Sequence, residues 1–268
     1  MPGNSGSSRR AAMYGEEDLS SLAIFSGNYI NFGYWPDFTP GIISVDERTA
    51  SQADLYRAVV RRMKIDPGDA VLEVGCGIAA GTALTLREFD PSAVYGLDLS
   101  PDQIDRAARV NAELIAQHPD RLVLRQGSAL ELPFADGMFD KCYSVEAAQH
   151  FEDLATFASE AYRVLRSGGR LAVTTFFMPH LTAIDGLRRL LENINNGIDV
   201  VVTIDSFRDD LLKAGFVDVG VESIGEHVWC GFDAWMDQTE FRNSWGRNWL
   251  TAYNAGLIDY YLVTADKK

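Results

Sequence analysis

The most restrictive stretch of this chain is Ala70-Val71-Leu72-Glu73-Val74-Gly75-Cys76-Gly77, which runs through Ile78-Ala79-Ala80-Gly81 into a helical pattern. Glycines at this turn let the backbone bend sharply and approach a ligand with no Cβ in the way. The helix that follows then aims its unpaired N–H groups at the same spot. The strand-to-helix alternation repeats downstream. Strands are predicted at Ala70–Gly75, Ala93–Asp98, Leu122–Gln126, Phe139–Val145, Arg170–Phe177, Val217–Ile224 and Asp259–Ala265, with helical segments near 80–88, 101–117 and 151–166 between the first five. This order predicts an α/β fold: a doubly wound, mostly parallel seven-stranded sheet with helices on both faces and an antiparallel last strand.

Several boundaries carry their own signals. Ser100-Pro101-Asp102-Gln103 reads as a capping box opening a helix, which then sets Ile104, Ala107, Ala108, Leu114 and Ile115 on one face. Ser167-Gly168-Gly169 is expected to stop the preceding helix at Arg166 with a left-handed glycine cap. Ser206 is expected to cap the segment SFRDDLLKAGF, which ends at Gly215. The division expected is 1–47 as flexible segment and aromatic flap, 48–177 as α/β core, and 178–268 as the rest of the sheet with substrate-cap insertions. Residues 1–15 are Gly/Ser-rich and expected to be mobile. The 178–205 insertion and the 227–257 segment, which holds Trp229, Trp235, Trp245 and Trp249, are expected to wall a large apolar pocket. The alternative is that these tryptophans are core.

Composition excludes several classes of partner. With 24 Lys and Arg against 38 Asp and Glu, the net charge of −14 repels nucleic-acid backbones and anionic lipid surfaces. No stretch approaches the ~20 apolar residues that span a bilayer, and none has the length and flanks of a signal peptide. Cys76, Cys142 and Cys230 are widely spaced, which argues against a disulfide framework or a structural zinc site. No metal-ligand spacing is found, so no metal is expected. A reduced cytoplasmic protein is expected, with a homo-oligomer left open.

Asp98 ends the second predicted strand, where a carboxylate can accept hydrogen bonds from both hydroxyls of a ribose. Gly75-x-Gly77-x-x-Ala80 also satisfies the dinucleotide fingerprint, which keeps a nicotinamide or flavin oxidoreductase open. Glu73, just before the glycines, would face a pyrophosphate unfavourably and suits a cationic ligand instead. His150 follows the fourth strand, at the sheet edge where such folds bind ligands, and an imidazole is a suitable base for a hydroxyl acceptor. Its alternative role is to cap a helix beginning near Phe151.

Taken together, Glu-x-Gly-x-Gly, Asp98, PFADGMFDKCYSVEAAQHF and the segment RVLRSGGRLAV resemble the class I S-adenosylmethionine-dependent methyltransferases and their Rossmann-like fold. The run SGNYINFGYW and the Glu-Ala-x-x-His spacing resemble the small-molecule branch, which includes sterol and tocopherol C-methyltransferases and natural-product O-methyltransferases. The resemblance implies that Glu73, Gly75 and Gly77 surround the methionine moiety, Asp98 holds the ribose and Leu99 covers the adenine. It places Gln103, Ser128, Ala129 and Val145 against the adenosine end, and Tyr29, Tyr34 and Trp35 in a flap over the cofactor. His150 becomes a catalytic base for O-methylation, and Glu146 the group central to C-methylation of a prenyl or terpenoid acceptor. Departures are Ser128 where the family usually has aspartate, Ala79 where it often has a third glycine, Gln149 where a second histidine is frequent, and Thr174-Thr175 where an aspartate is used. The expected activity is methyl transfer from S-adenosylmethionine to a bulky apolar small molecule, oxygen before carbon. An NAD-type oxidoreductase and a non-methylating cofactor-binding protein are the alternatives of other classes.

Overall fold

A computed structural model describes residues 24–268, so the Gly/Ser-rich start of the chain lies outside the described residues. Its elements are α1 (Val45–Met63), β1 (Ala70–Val74), α2 (Ala80–Phe89), β2 (Ala93–Asp98), α3 (Pro101–Val110), α4 (Ala112–Gln117), β3 (Leu122–Gln126), β4 (Phe139–Val145), α5 (Leu154–Val164) and β5 (Leu165–Phe177). There follow α6 (Ile184–Leu190), α7 (Glu192–Asn195), α8 (Ile204–Ala214), β6 (Val217–Ser223), α9 (Trp229–Asp237), α10 (Asn248–Asn254) and β7 (Asp259–Asp266). The seven strands lie in the order β3-β2-β1-β4-β5-β7-β6, and β7 pairs antiparallel with both neighbours. The chain winds outward from β1 to β3, returns, and winds the other way from β4. A crevice is therefore left at the carboxyl ends of β1 and β4, where no helix crosses.

Residues alternate across the sheet with the two-residue strand period and feed one apolar layer on each face. Val71, Val94, Tyr143 and Ala172 meet Leu55, Val59 and Met63 of α1 and Leu84 of α2. On the other face Leu72, Val74, Cys142 and Leu171 meet Phe157 and Ala161 of α5 and Phe207 of α8. Burying a side chain of this kind contributes roughly 1.5–3 kcal/mol each. Trp229 and Trp249 belong to the first layer: they are buried, and their rings stack 5.4 Å apart at 7°. Trp235 is buried as well, beside Trp35 and Ile43, and only Trp245 is largely exposed. The tryptophans of 227–257 are thus chiefly core.

Local rules explain most boundaries, and tertiary contacts explain the exceptions. Ser44 and Glu47 form a reciprocal capping box at the start of α1. At α3 only one arm of the expected box is made: the Gln103 amide donates to Ser100 Oγ at 3.3 Å, while the Ser100 amide donates to Asp98 Oδ1 at 2.9 Å. The single helix expected over 101–117 is broken at Asn111, whose side chain donates to the carbonyls of Ala107 and Ile78. Helix α5 ends at Val164 with Leu165 already extended, so Ser167-Gly168-Gly169 does not cap it. Those residues form an irregularity inside β5, where Gly168 takes φ +80° and donates to the Lys267 carbonyl of β7's trailing end. Helix α8 is capped by Thr203, whose hydroxyl accepts from the Ser206 amide at 3.2 Å, rather than by Ser206. Gly215 ends it in the left-handed conformation, as expected.

No helix among the described residues is long and apolar enough to cross a membrane. Trp229→Ala removes a ring that touches Phe32, Trp249 and Tyr260. It should lower unfolding free energy by about 3–5 kcal/mol in chemical denaturation, as expected for a large aromatic cavity.

Candidate active site

A cleft of about 580 Å³ opens at the carboxyl ends of β1 to β4. Its floor is the glycine loop, and the loop's shape is set by the end of β2. The amides of Gly75 and Cys76 both donate to the Leu97 carbonyl, at 2.8 and 2.9 Å, and the Gly77 amide donates to Asp98 Oδ2 at 2.8 Å. Gly75 has φ +80°, and a Cβ there would lie 2.2 Å from that of Ala147. A Cβ on Gly77 would instead meet nothing, because that direction is open space. Ala79 takes φ +61° at the head of α2, a left-handed conformation that costs a non-glycine residue about 1–2 kcal/mol. A glycine would take this conformation without that cost.

The acidic residues around the loop differ in setting. Asp98 lines the cleft with both oxygens already accepting backbone N–H groups, from Gly77 and Ser100, yet each keeps lone pairs for further donors. Burial raises its pKa, partly offset by those hydrogen bonds. Glu73 lies fully buried behind the loop and does not line the cleft; Tyr56 of α1 does. Its Oε2 accepts from the hydroxyls of Thr82 and Tyr143. Oε1 is buried with no hydrogen bond among the described residues, the Tyr56 phenol lying beside the carboxyl without closing one on it. Burial pushes the Glu73 carboxyl up to about 7 against the pull of these hydroxyls.

Leu99, Gln103, Ser128, Ala129 and Val145 all line the cleft. Leu99 is 68% exposed and offers an open apolar face at the rim. The Ser128 hydroxyl accepts from the Leu130 amide at 3.1 Å, so it also holds its own turn. Tyr29, Tyr34 and Trp35 are not among the lining residues; Asn28 and Ile30 are. The cause is Arg48, wholly buried in α1, whose guanidinium donates to the carbonyls of Ile24, Asn31 and Phe32. This grip seats the segment on α1 and turns its rings away from the cleft. Tyr29 packs on Tyr56, Tyr34 on His227, and Trp35 against Phe38 and Gly231.

Glu146 and His150 share the cleft with the loop. Glu146 sits at φ +46° just past β4, and its Oε1 accepts from the Phe32 amide at 2.7 Å and the Tyr260 hydroxyl at 2.6 Å. Burial raises its carboxyl to about 8, with those hydrogen bonds and the charge of Arg48 opposing. His150 ends a short 3-10 turn and does not cap α5, which Asp153 caps through the amides of Ala155 and Thr156. Its Nδ1 stands 3.1 Å from Asp199 Oδ1. Sequence reasoning did not single out Asn28, Ile30, Tyr56 or Asp199. Tyr56 follows the apolar period of α1 and reads as core, and Asp199 lies in an insertion with no local pattern.

With this geometry, the matches to known proteins can be placed. Residues 72–173 match the family model described as a methyltransferase domain. The chain is 33% identical over 227 residues to erythromycin 3''-O-methyltransferase of Saccharopolyspora erythraea, covering 80% of this chain and 69% of that one. It is 33% identical over 263 residues to methyltransferase GfsG of Streptomyces halstedii, covering 91% and 89%. In fold it is similar to geranyl diphosphate C-methyltransferase from Streptomyces coelicolor, with a TM-score of 0.83 over all of both chains at 18% identity.

Two buried carboxyls with raised pKa values give a signed pH dependence. Their contribution to stability is fully present below the ordinary value of 4.5 and is lost as pH rises through about 7 for Glu73 and about 8 for Glu146. Glu146→Gln removes the charge that burial opposes. It should flatten the fall in melting temperature between about pH 4.5 and about pH 8 relative to wild type. Parallel curves for the two proteins would mean that the carboxyl is not held neutral.

Proposed function

The chain belongs to the S-adenosylmethionine-dependent small-molecule methyltransferases, and from that premise we propose that it methylates a hydroxyl oxygen of a bulky, mainly apolar secondary metabolite, with His150 as base. The observation that carries this reading is the placing of an imidazole in the same cleft as the glycine loop and Asp98. Similarity to an enzyme named as an erythromycin O-methyltransferase supports a hydroxyl acceptor of that size.

The residues fit S-adenosylmethionine, the cofactor. The open direction at Gly77 leaves room for a ligand against the loop, the Glu73 carboxyl buried behind the loop favours positive charge there, and the exposed Leu99 suits an adenine face. Gly75 and Gly77 would hold the methionine end with the Glu73 carboxyl behind them, Asp98 the ribose hydroxyls, and Leu99, Gln103, Ser128, Ala129 and Val145 the adenosine end. When bound, the cofactor supplies an electrophilic methyl group on a sulfonium. His150 accepts the acceptor's hydroxyl proton as that oxygen bonds to the methyl carbon. Asn28 and Ile30 exclude water on the flap side and help orient the reacting atoms, which is where much of the acceleration in such a displacement arises.

Carbon methylation would ask Glu146 to carry negative charge beside a carbocation. Burial raises that carboxyl to about 8 and so opposes the charge that carbon methylation would require of it. With its net charge of −14 the enzyme is assigned a small-molecule acceptor and no nucleic acid. Three free cysteines are in keeping with a reducing, cytoplasmic setting.

Incubation with S-adenosylmethionine and a macrolide bearing a free sugar hydroxyl should give a product heavier by one methylene. His150→Ala should lower kcat by about 10²–10⁴-fold while cofactor affinity stays within about twofold; wild-type turnover in that variant removes the base assignment. Glu73 must ionise fully to attract a cation from behind the loop. Calorimetry should therefore show S-adenosylmethionine binding more tightly as pH rises through about 7, and Glu73→Gln should lose that trend.

A further inference from the structure

Asp199 lies in the insertion between β5 and β6, far from His150 in the chain, and is buried against it. Its Oδ1 stands 3.1 Å from His150 Nδ1. Its Oδ2 accepts from the Asn193 side-chain amide, and its own backbone amide donates to the Asn193 carbonyl at 3.1 Å. The same turn is fastened to the histidine's turn by the next residue: the Val200 amide donates to the Gln149 carbonyl at 2.8 Å.

The other ring nitrogen meets a group of opposite character. Gln149 Nε2 donates to the Glu146 carbonyl at 2.8 Å, and its Oε1 accepts from the Thr175 hydroxyl at 2.7 Å. A backbone carbonyl can only accept, so the amide cannot be flipped. The amino group of Gln149 is thereby the one that stands 3.5 Å from His150 Nε2. A neutral imidazole donates from one nitrogen and accepts at the other, and its neighbours choose which. Here a carboxylate, which only accepts, faces Nδ1, and an amide N–H, which only donates, is beside Nε2. Both select the same tautomer.

We propose that Asp199 is a positioning residue that keeps the ring proton of His150 on Nδ1 and leaves Nε2 as the basic nitrogen that takes the acceptor's proton. The inference rests on the reading of His150 as base. Asp199 itself takes no proton in the step: one proton moves from the acceptor oxygen to Nε2, and the imidazolium formed keeps its charge beside the Asp199 carboxylate, whose Oδ1 stands 3.1 Å from Nδ1.

Nitrogen-15 NMR of the ring nitrogens in the S-adenosylhomocysteine complex reads the tautomer directly, with His150→Gln identifying the signal among the four histidines. The expected result is Nδ1–H in the wild type and a mixture or Nε2–H in Asp199→Asn. Turnover of a macrolide with a free sugar hydroxyl should fall at least ~10-fold in that variant, with KM for S-adenosylmethionine within about twofold. Asp199→Glu keeps a carboxylate and should restore Nδ1–H. Asn193→Ala, which releases the carboxylate without deleting it, should shift the tautomer in the same direction if Asp199→Asn does not fold. An unchanged tautomer in Asp199→Asn, or Nε2–H in the wild type, overturns the proposal. Loss of the base reading looks different: His150→Gln would then turn over at the wild-type rate whatever the tautomer.

Discussion

Three successive amides, those of Gly75, Cys76 and Gly77, are taken by two acceptors at the end of β2, the Leu97 carbonyl and the Asp98 carboxylate. Everything at the site hangs on that arrangement. It converts the sharp exit from β1 into a fixed cradle, brings the Asp98 carboxylate against it, and leaves Gly77 facing open space. Asn111 holds the loop from the other side through the Ile78 carbonyl, breaking its own helix to do so. The cleft stands where the winding of the sheet reverses, so the loop, Asp98, Glu146 and His150 converge from three strand ends without any of them leaving regular structure by more than a few residues.

The site is also where the chain accepts unfavourable states. Ala79 and Glu146 occupy positive φ, and Glu73 and Glu146 are carboxyls that burial pushes well above their usual range. Groups of this kind persist only where surrounding packing overdetermines them. Around Glu146 that packing includes Arg48, a buried cation whose own pKa burial lowers to about 9 and whose donors are taken by backbone carbonyls rather than by a carboxylate. Arg48 pulls the flap backbone down, and Glu146 takes the Phe32 amide from the same segment. The segment is thus tied to α1 and to the end of β4 at once, which couples its position to the part of the cleft that holds Glu146.

Legibility followed from how local each signal was. Strands β2, β3 and β4 were readable to the residue because alternating and continuous apolar runs bounded by turn residues are a property of the segment itself. The double glycine at 168–169 misled because glycine after a helix usually caps it; here Gly168 and Lys267 pair across β5 and β7, and that partner is remote in sequence. The rings of the flap misled in the same way. An aromatic run before a sheet looks like a cover for a ligand, and the grip of Arg48 and Gln52, helical residues with nothing to mark them, on its backbone carbonyls accompanies Asn28 and Ile30 facing the cleft while Tyr29, Tyr34 and Trp35 pack elsewhere.

The sequence by itself determined the alternating α/β order, the glycine loop with Asp98 at the next strand end, and the Glu-Ala-x-x-His spacing after β4, because each is a short-range pattern with one favourable backbone solution. Only the tertiary structure decided that Glu73 stands behind the cleft wall rather than in it, that the tryptophans of 227–257 are chiefly core, and that Asp199 reaches His150. Those outcomes depend on which distant segments are brought within a hydrogen bond of one another. Burial and pairing across the sheet settle that, and no local pattern encodes it.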